Sequence, residues 1–474
     1  MSILSRNKVL YYALLVATLI LLSLSLSFAP LITFGITVAI VMFVLLYLYT
    51  IQIFNFTLVL LLAIPANVRS YDFFHLNIPI INLDIFKAVL FEIALVILIK
   101  KLIKKELFEL RNNWFAIILF ISFFVYYLLG IHFHNGAVYT DAKNFFFIPL
   151  LYMIGVSLYT KKKMFKPFFR LVVISSFLLS IFSITIFVFK HSIFQYIFDG
   201  SFDADTSRVG FANHSNFSFT IPLMILAIKT KVLGKKMNSF IFITLVLMLI
   251  TLILGQSRAL IFAVIVNTIV ILVYTSYFTD KKAVVNNIIN LMVFISFTLL
   301  IILAAFLVFP SISNQFQEVF QRFYSVYKDG GTVSLNTRKI TNNYYEQLIS
   351  KNLLGYGMGK DMWLINDFGH PFVQGMNIDN AFITITYKFG IIGLILWLVF
   401  YVINITRVYR YRLFRKGTVE GFFATCFLLC MPLSFLNSTF FTAQLAMNSS
   451  VYAFTVMMLI LFHNNNLNKS KLMD

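Results

Sequence analysis

Four short stretches hold residue types that could do chemistry. The first, Arg208-Val-Gly-Phe-Ala-Asn-His-Ser-Asn216, stands immediately before an apolar run that starts at Phe217. A guanidinium there offers forked donors to a phosphate or carboxylate. Asn213, His214 and Asn216 add neutral donors. The same residues also read as a polar loop whose last Asn caps a helix. The second, Leu254-Gly-Gln-Ser-Arg-Ala-Leu260, separates two apolar runs and sets Arg258 at the end of a tight hairpin. That arginine is either an anion ligand or a side chain that snorkels at an interface. The third, Leu353-Leu-Gly-Tyr-Gly-Met-Gly359, has no Lys-Ser or Lys-Thr after it, so it is no nucleotide loop. Its glycines either let N–H groups cup an anion or make a tight turn. The fourth begins Asp379-Asn380 and runs into apolar sequence, with Lys388 nine residues on. A partly buried carboxylate is a proton acceptor near neutrality, and it is equally at home as a helix cap. His370, before Pro371, is a competing base.

These residues sit in a chain that water cannot hold. Of 474 residues, 60% are hydrophobic and 12% charged, and 56 are Phe. An ordinary soluble domain is roughly 45–50% apolar and about 25% charged. The composition excludes a soluble enzyme, a disordered chain and a secreted disulfide scaffold. It predicts an all-α integral membrane protein, a polytopic bundle of 12–14 transmembrane helices with a large, partly helical exterior loop. Apolar runs fall at roughly 9–29, 31–48, 51–65, 84–100, 114–131, 145–160, 170–189, 217–230, 239–254, 259–278, 288–309, 381–406, 418–436 and 448–463. The pair 31–48 and 51–65 also reads as one long pass with a re-entrant piece. The first run reads as a retained helix rather than a leader. Cys426 and Cys430, four apart in an apolar run, mark a helical face and not a metal site.

Lys and Arg set the orientation. With the N-terminus inside, the inner segments hold 25 of the 38 Lys and Arg and five of the 18 acids. The net charge of +20 then lies entirely on the inner face. The basic excess is thus a topology signal, and nucleic acid is excluded as a partner. Both termini are expected in the cytoplasm. Three regions follow: a bundle over 1–309 with an exterior loop at 190–216, a large exterior loop over 310–380, and further membrane helices over 381–474. Within the large loop, Phe316, Val319, Phe320, Phe323 and Val326 predict an amphipathic helix. A second helix is expected from Asn336 or Thr337 to about Ser350.

The order of the motifs is more informative than any one of them. Ser257-Arg258-Ala259-Leu260, Gly355-Tyr356-Gly357, then Asp379-Asn380 and Phe389-Gly-Ile-Ile-Gly393 resemble the bacterial O-antigen polymerase and O-antigen ligase superfamily. The resemblance runs from about Arg208 to Val399. The family's Ser-Arg-Gly-Ala-Leu pattern lacks its glycine here. Asp379 stands where the ligase-like pattern has His, which favours a polymerase.

The resemblance implies a GT-C-like glycosyltransferase of the bacterial cytoplasmic membrane. It would join undecaprenyl-diphosphate-linked oligosaccharide units into O-antigen, capsule or another surface polysaccharide. Under that reading Arg208, Arg258 and Arg338 neutralise the departing diphosphate and Asp379 is the base, with His370 in reserve. Asn216, Asn380 and His214 orient phosphate or sugar hydroxyls. No cofactor and no metal are expected. The bilayer, a flippase and a chain-length regulator are the expected partners. A ligase, a flippase or other transporter, and a scaffold of the polysaccharide machinery are the alternatives.

Overall fold

The computed structural model describes residues 30–63, 75–78, 81–103, 110–158, 165–189, 202–203, 208–209, 212–230, 234–255, 258–277, 317, 321, 324, 332–366, 369–375, 378 and 380–410. The expected spans at 9–29, 288–309, 418–436 and 448–463, and both cysteines, lie outside these residues. So does nearly all of the amphipathic helix expected over 316–326.

Long apolar stretches form helices because a helix satisfies its own backbone where water cannot. The stretch α1 (Pro30–Ala63) is two helices joined across a kink at Tyr49, which falls between the expected runs 31–48 and 51–65. Next to the kink, Thr50 Oγ1 donates to the Leu46 carbonyl at 2.6 Å, a type of back-bond that often bends helices. Lys100 holds the site, donating to Thr50 Oγ1 at 2.8 Å with its Nζ 4.7 Å from the Tyr47 ring centre.

A short antiparallel hairpin, β1 (His75–Ile78) and β2 (Ile81–Asp84), leads into α2 (Ile85–Ile103). Then come α3 (Leu110–His132), α4 (Val138–Leu158) and α5 (Phe165–Val188). Helix α4 starts seven residues before the apolar run expected at 145. Its first turn is polar, and Asp141 there suits the positive end of the helix dipole. A two-residue ladder joins β3 (Phe202–Asp203) to β4 (Arg208–Val209), with Asp203 opposite Arg208. A 3-10 turn (Ala212–Asn216) opens α6 (Phe217–Thr230), followed by α7 (Lys235–Gly255) and α8 (Arg258–Tyr277). The large loop contributes α9 (Thr332–Lys351) and an antiparallel hairpin, β5 (Met362–Ile365) and β6 (Pro371–Gly375). Helix α10 (Ala381–Arg410) is broken at Gly390, whose φ is 63°.

Helix α1 packs on α2 and α5, α5 on α7, α7 on α6, and α6 on α8; α4 joins α3 to α2. One apolar core runs through them from Leu46 to Phe389. A second, smaller core under α9 holds Tyr345, Met362, Ile378, Ile383 and Tyr387. Among the described residues, Ile40–Ala63, Phe169–Val188 and Lys236–Gly255 are long and apolar enough to cross a membrane. Ile117–His132, Leu260–Ile271 and Phe382–Leu396 are shorter apolar helices.

Helix α6 has 14 residues, so it is about 21 Å long at 1.5 Å per residue, short of a full crossing. Pro222 inside it has no N–H for the Ser218 carbonyl. Asn267 of α8 supplies the missing donor at 2.8 Å. Asn267→Ala should therefore lower stability by about 1–3 kcal/mol, the cost of an orphaned buried acceptor. Pro222→Ala, which restores the in-helix donor, should recover most of that loss in the Asn267→Ala background. Unfolding of the detergent-solubilised chain, read by tryptophan fluorescence, measures both.

Candidate functional site

Two polar centres are built into the apolar bundle. The first forms where α10 breaks. Beyond Gly390 the helix cannot pair Tyr387 and Lys388 in the usual way, and residues 353–359 complete the pattern. Tyr356 N–H donates to the Tyr387 carbonyl and Gly357 N–H to that of Lys388, each at 2.9 Å. Ile391 N–H, released from Tyr387, donates to the Leu353 carbonyl at 3.0 Å. On the other side Met358 N–H donates to the Tyr126 carbonyl of α3 at 3.0 Å. Asn135 Nδ2 donates to the carbonyls of Tyr356 and Met358. Only glycine fits so close an approach. A Cβ on Gly357 would strike the backbone of Gly130, and one on Gly359 that of Val138, and both have φ near +80°.

The Lys388 side chain is buried beneath this strap and meets Asp141 of α4, Nζ to Oδ2, at 2.6 Å. The same carboxylate oxygen accepts the Gly359 N–H at 2.7 Å. The glycine motif does cup an anion, but the anion is the protein's own Asp141. Phe145, one turn beyond Asp141, packs on Phe389, next to Lys388, with ring centres 4.6 Å apart. Taking two charges out of water is costly, and removing one partner from such a pair costs about 3–5 kcal/mol.

The second centre is the polar turn before α6. Asn213, His214, Ser215 and Asn216 are all buried. Asn213 Nδ2 donates to the Leu61 and Leu62 carbonyls at the end of α1, each at 3.2 Å. His214 Nε2 lies 2.9 Å from Ser183 Oγ on α5, and its ring stacks on Phe217. Ser183 Oγ already donates to the Leu179 carbonyl, so it accepts from the imidazole Nε2–H. The turn is recessed. The Asn267–Ser218 bond puts the start of α6 level with a point nine residues into α8, about 13 Å below the residue that opens that helix.

Arg258 opens α8, and Arg208 lies in β4, which touches α5 and α7. Arg258 follows the end of α7 by three residues, and α7 is one of the helices that β4 touches. Arg338 is half-buried on α9, which packs on α10 and β5. Asn380 is the cap of α10: its Oδ1 accepts the Ile383 N–H at 3.2 Å and its carbonyl the Thr384 N–H at 3.0 Å. The capping role read for Asp379 therefore falls to its neighbour, and Asp379 itself lies outside the described residues. His370 is exposed in the β5–β6 turn, bonded to Asn366 through backbone and side chain. Sequence reasoning missed Asp141, Ser183 and Asn267. Asp141 had a signal: a lone acid at the head of one apolar run, matched by a lone Lys388 inside another.

Either Lys388→Met or Asp141→Asn alone should destabilise the chain by about 3–5 kcal/mol, and the double variant should recover most of it. Gly357→Ala should lower stability as well, whereas Gly136→Ala, which meets nothing within 4 Å, should not. Denaturant titration in detergent reads all five variants.

Residues 243–398, about a third of the chain, match the family model described as O-Antigen ligase. No curated protein matches the chain, and neither does any solved structure. The match ends one residue short of Val399 and begins 35 residues after Arg208, so it includes Arg258, Arg338, the glycine strap, Asn380 and the break at Gly390, but not Asp141 or the recessed turn. Over 243–398 the chain thus matches the O-antigen ligase family model, which is consistent with the O-antigen polymerase and ligase superfamily.

Proposed function

We propose that the chain is a membrane glycosyltransferase of surface-polysaccharide assembly, one that polymerises undecaprenyl-diphosphate-linked oligosaccharide units at the outer face of the bacterial cytoplasmic membrane. The observation that supports this reading is the buried polar turn before α6 in a chain that matches the O-antigen ligase family model over 243–398, with Arg208 and Arg258 on elements beside α7. A diphosphate is a good leaving group once its charge is held. In the transfer, the bond from the anomeric carbon to the phosphate oxygen breaks and the electron pair leaves with the diphosphate. Arg208 and Arg258, with Arg338, neutralise it. The acceptor hydroxyl oxygen takes the anomeric carbon, and its proton goes to Asp379, or to His370 if Asp379 is not the base. His214, Asn216 and Asn380 orient phosphate and sugar oxygens. A flippase would supply the lipid-linked units, and a chain-length regulator would set where the reaction stops.

A transporter reading asks for broken helices near the midplane, and α10 is broken. Its freed carbonyls are already filled by the strap and its lysine by Asp141, which weighs against ion coupling there. The second reading is a ligase, favoured by the description of the matching family. Asp379 in place of the ligase-like His favours the polymerase.

Arg208→Ala and Arg258→Ala should each cut transfer by about 10²–10³-fold, the usual loss for one preorganised donor to a developing anion. Asp379→Asn should abolish it if Asp379 is the base. Purified lipid-linked repeat units given to the reconstituted chain as sole substrate should yield a ladder on a gel. Full polymer from the arginine variants would overturn the diphosphate role. The absence of a ladder, with transfer restored by a separate acceptor, would identify a ligase.

A further inference from the structure

We infer that Leu353 and Leu354, though part of the large loop, sit in the bilayer surface, so that the glycine strap is held against the membrane rather than in water. The two leucines are 52% and 64% exposed. Their backbone is fixed against the break in α10: the Leu353 carbonyl accepts the Ile391 N–H, and a Cβ on Gly390 would strike the Leu354 backbone. Below the break, Ile391, Ile395, Leu398 and Val402 recur at helical spacing, and all are exposed. The leucines therefore continue an exposed apolar stripe of the kind that bilayer hydrocarbon covers.

Depth follows from length. From Ile391 to Arg410, α10 rises about 30 Å, the thickness of a bilayer's hydrocarbon core. Arg407 and Arg410 then lie at the far surface. This puts the near boundary at the level of Gly390. Helices α3 and α4 give the same level independently. Gly357 meets Gly130 near the end of α3, and Gly359 meets Val138 at the start of α4. Residues 381–389 of α10 then stand above the membrane, together with α9 and the β5–β6 hairpin. Lys351, exposed just before the leucines, is placed to reach lipid phosphates. The partner is the lipid surface itself, and the inference does not depend on which sugar reaction the chain performs.

The test uses the full chain with Cys426→Ser and Cys430→Ser, carrying Leu354→Cys labelled with nitrobenzoxadiazole and reconstituted into vesicles of phosphatidylethanolamine and phosphatidylglycerol. Quenching by lipids with a nitroxide high on the acyl chain should be strong. Quenching by aqueous iodide should be several-fold weaker than for Glu346→Cys, an exposed position on α9. Leu353→Cys should repeat the pattern, which guards against distortion at either single site. Iodide quenching equal to that at Glu346→Cys, with no response to the nitroxide lipids at either leucine, would overturn the inference.

Discussion

A polar backbone group in apolar surroundings must find a partner, and this structure is organised by how it meets that demand where its helices fail. At Gly390 the helix stops supplying its own bonds. The strap 353–359 exchanges partners with it group for group, taking over the Tyr387 and Lys388 carbonyls and accepting from Ile391. The exchange brings the strap's glycines into contact with the backbones of α3 and α4. It leaves Gly359 N–H aimed at Asp141, which Lys388 neutralises. The ion pair and the break are thus parts of one joint, since the strap that fills the broken helix also donates to the paired carboxylate.

The same demand shapes the other centre. Pro222 frees the Ser218 carbonyl, and Asn267 crosses from α8 to fill it. The end of α1 leaves the Leu61 and Leu62 carbonyls open, and Asn213 fills both. A short helix and a polar turn can then lie deep in the bundle with these three carbonyls satisfied.

The helices were largely legible in the sequence, because apolar runs are long and unambiguous: the expected 217–230 matches α6 residue for residue. Apolarity alone did not mark the polar first turn of α4 or the break inside 381–406. The helical character of Val138–Asn144 comes from its dipole and its packing. The break at Gly390 is decided by a strap that lies thirty to forty residues upstream. Of the motif positions, Asn380 is seen as the cap of α10, and His214 and Asn216 as buried members of the turn before α6. The Asp141–Lys388 pair was hidden by its separation, since nothing local to either residue points to the other.

That separation of 247 residues has a consequence for how the chain is made. At synthesis rates of about 5–20 residues per second, Asp141 waits roughly 10–50 s after it is translated before Lys388 exists. In that interval the top of α3 and α4 lacks both its counter-charge and its glycine strap. The acid must remain in contact with water or borrow a temporary partner. Closure of this joint is therefore a late event in biogenesis, and a chain cut short before residue 388 would leave an unpaired carboxylate for quality-control proteases to find.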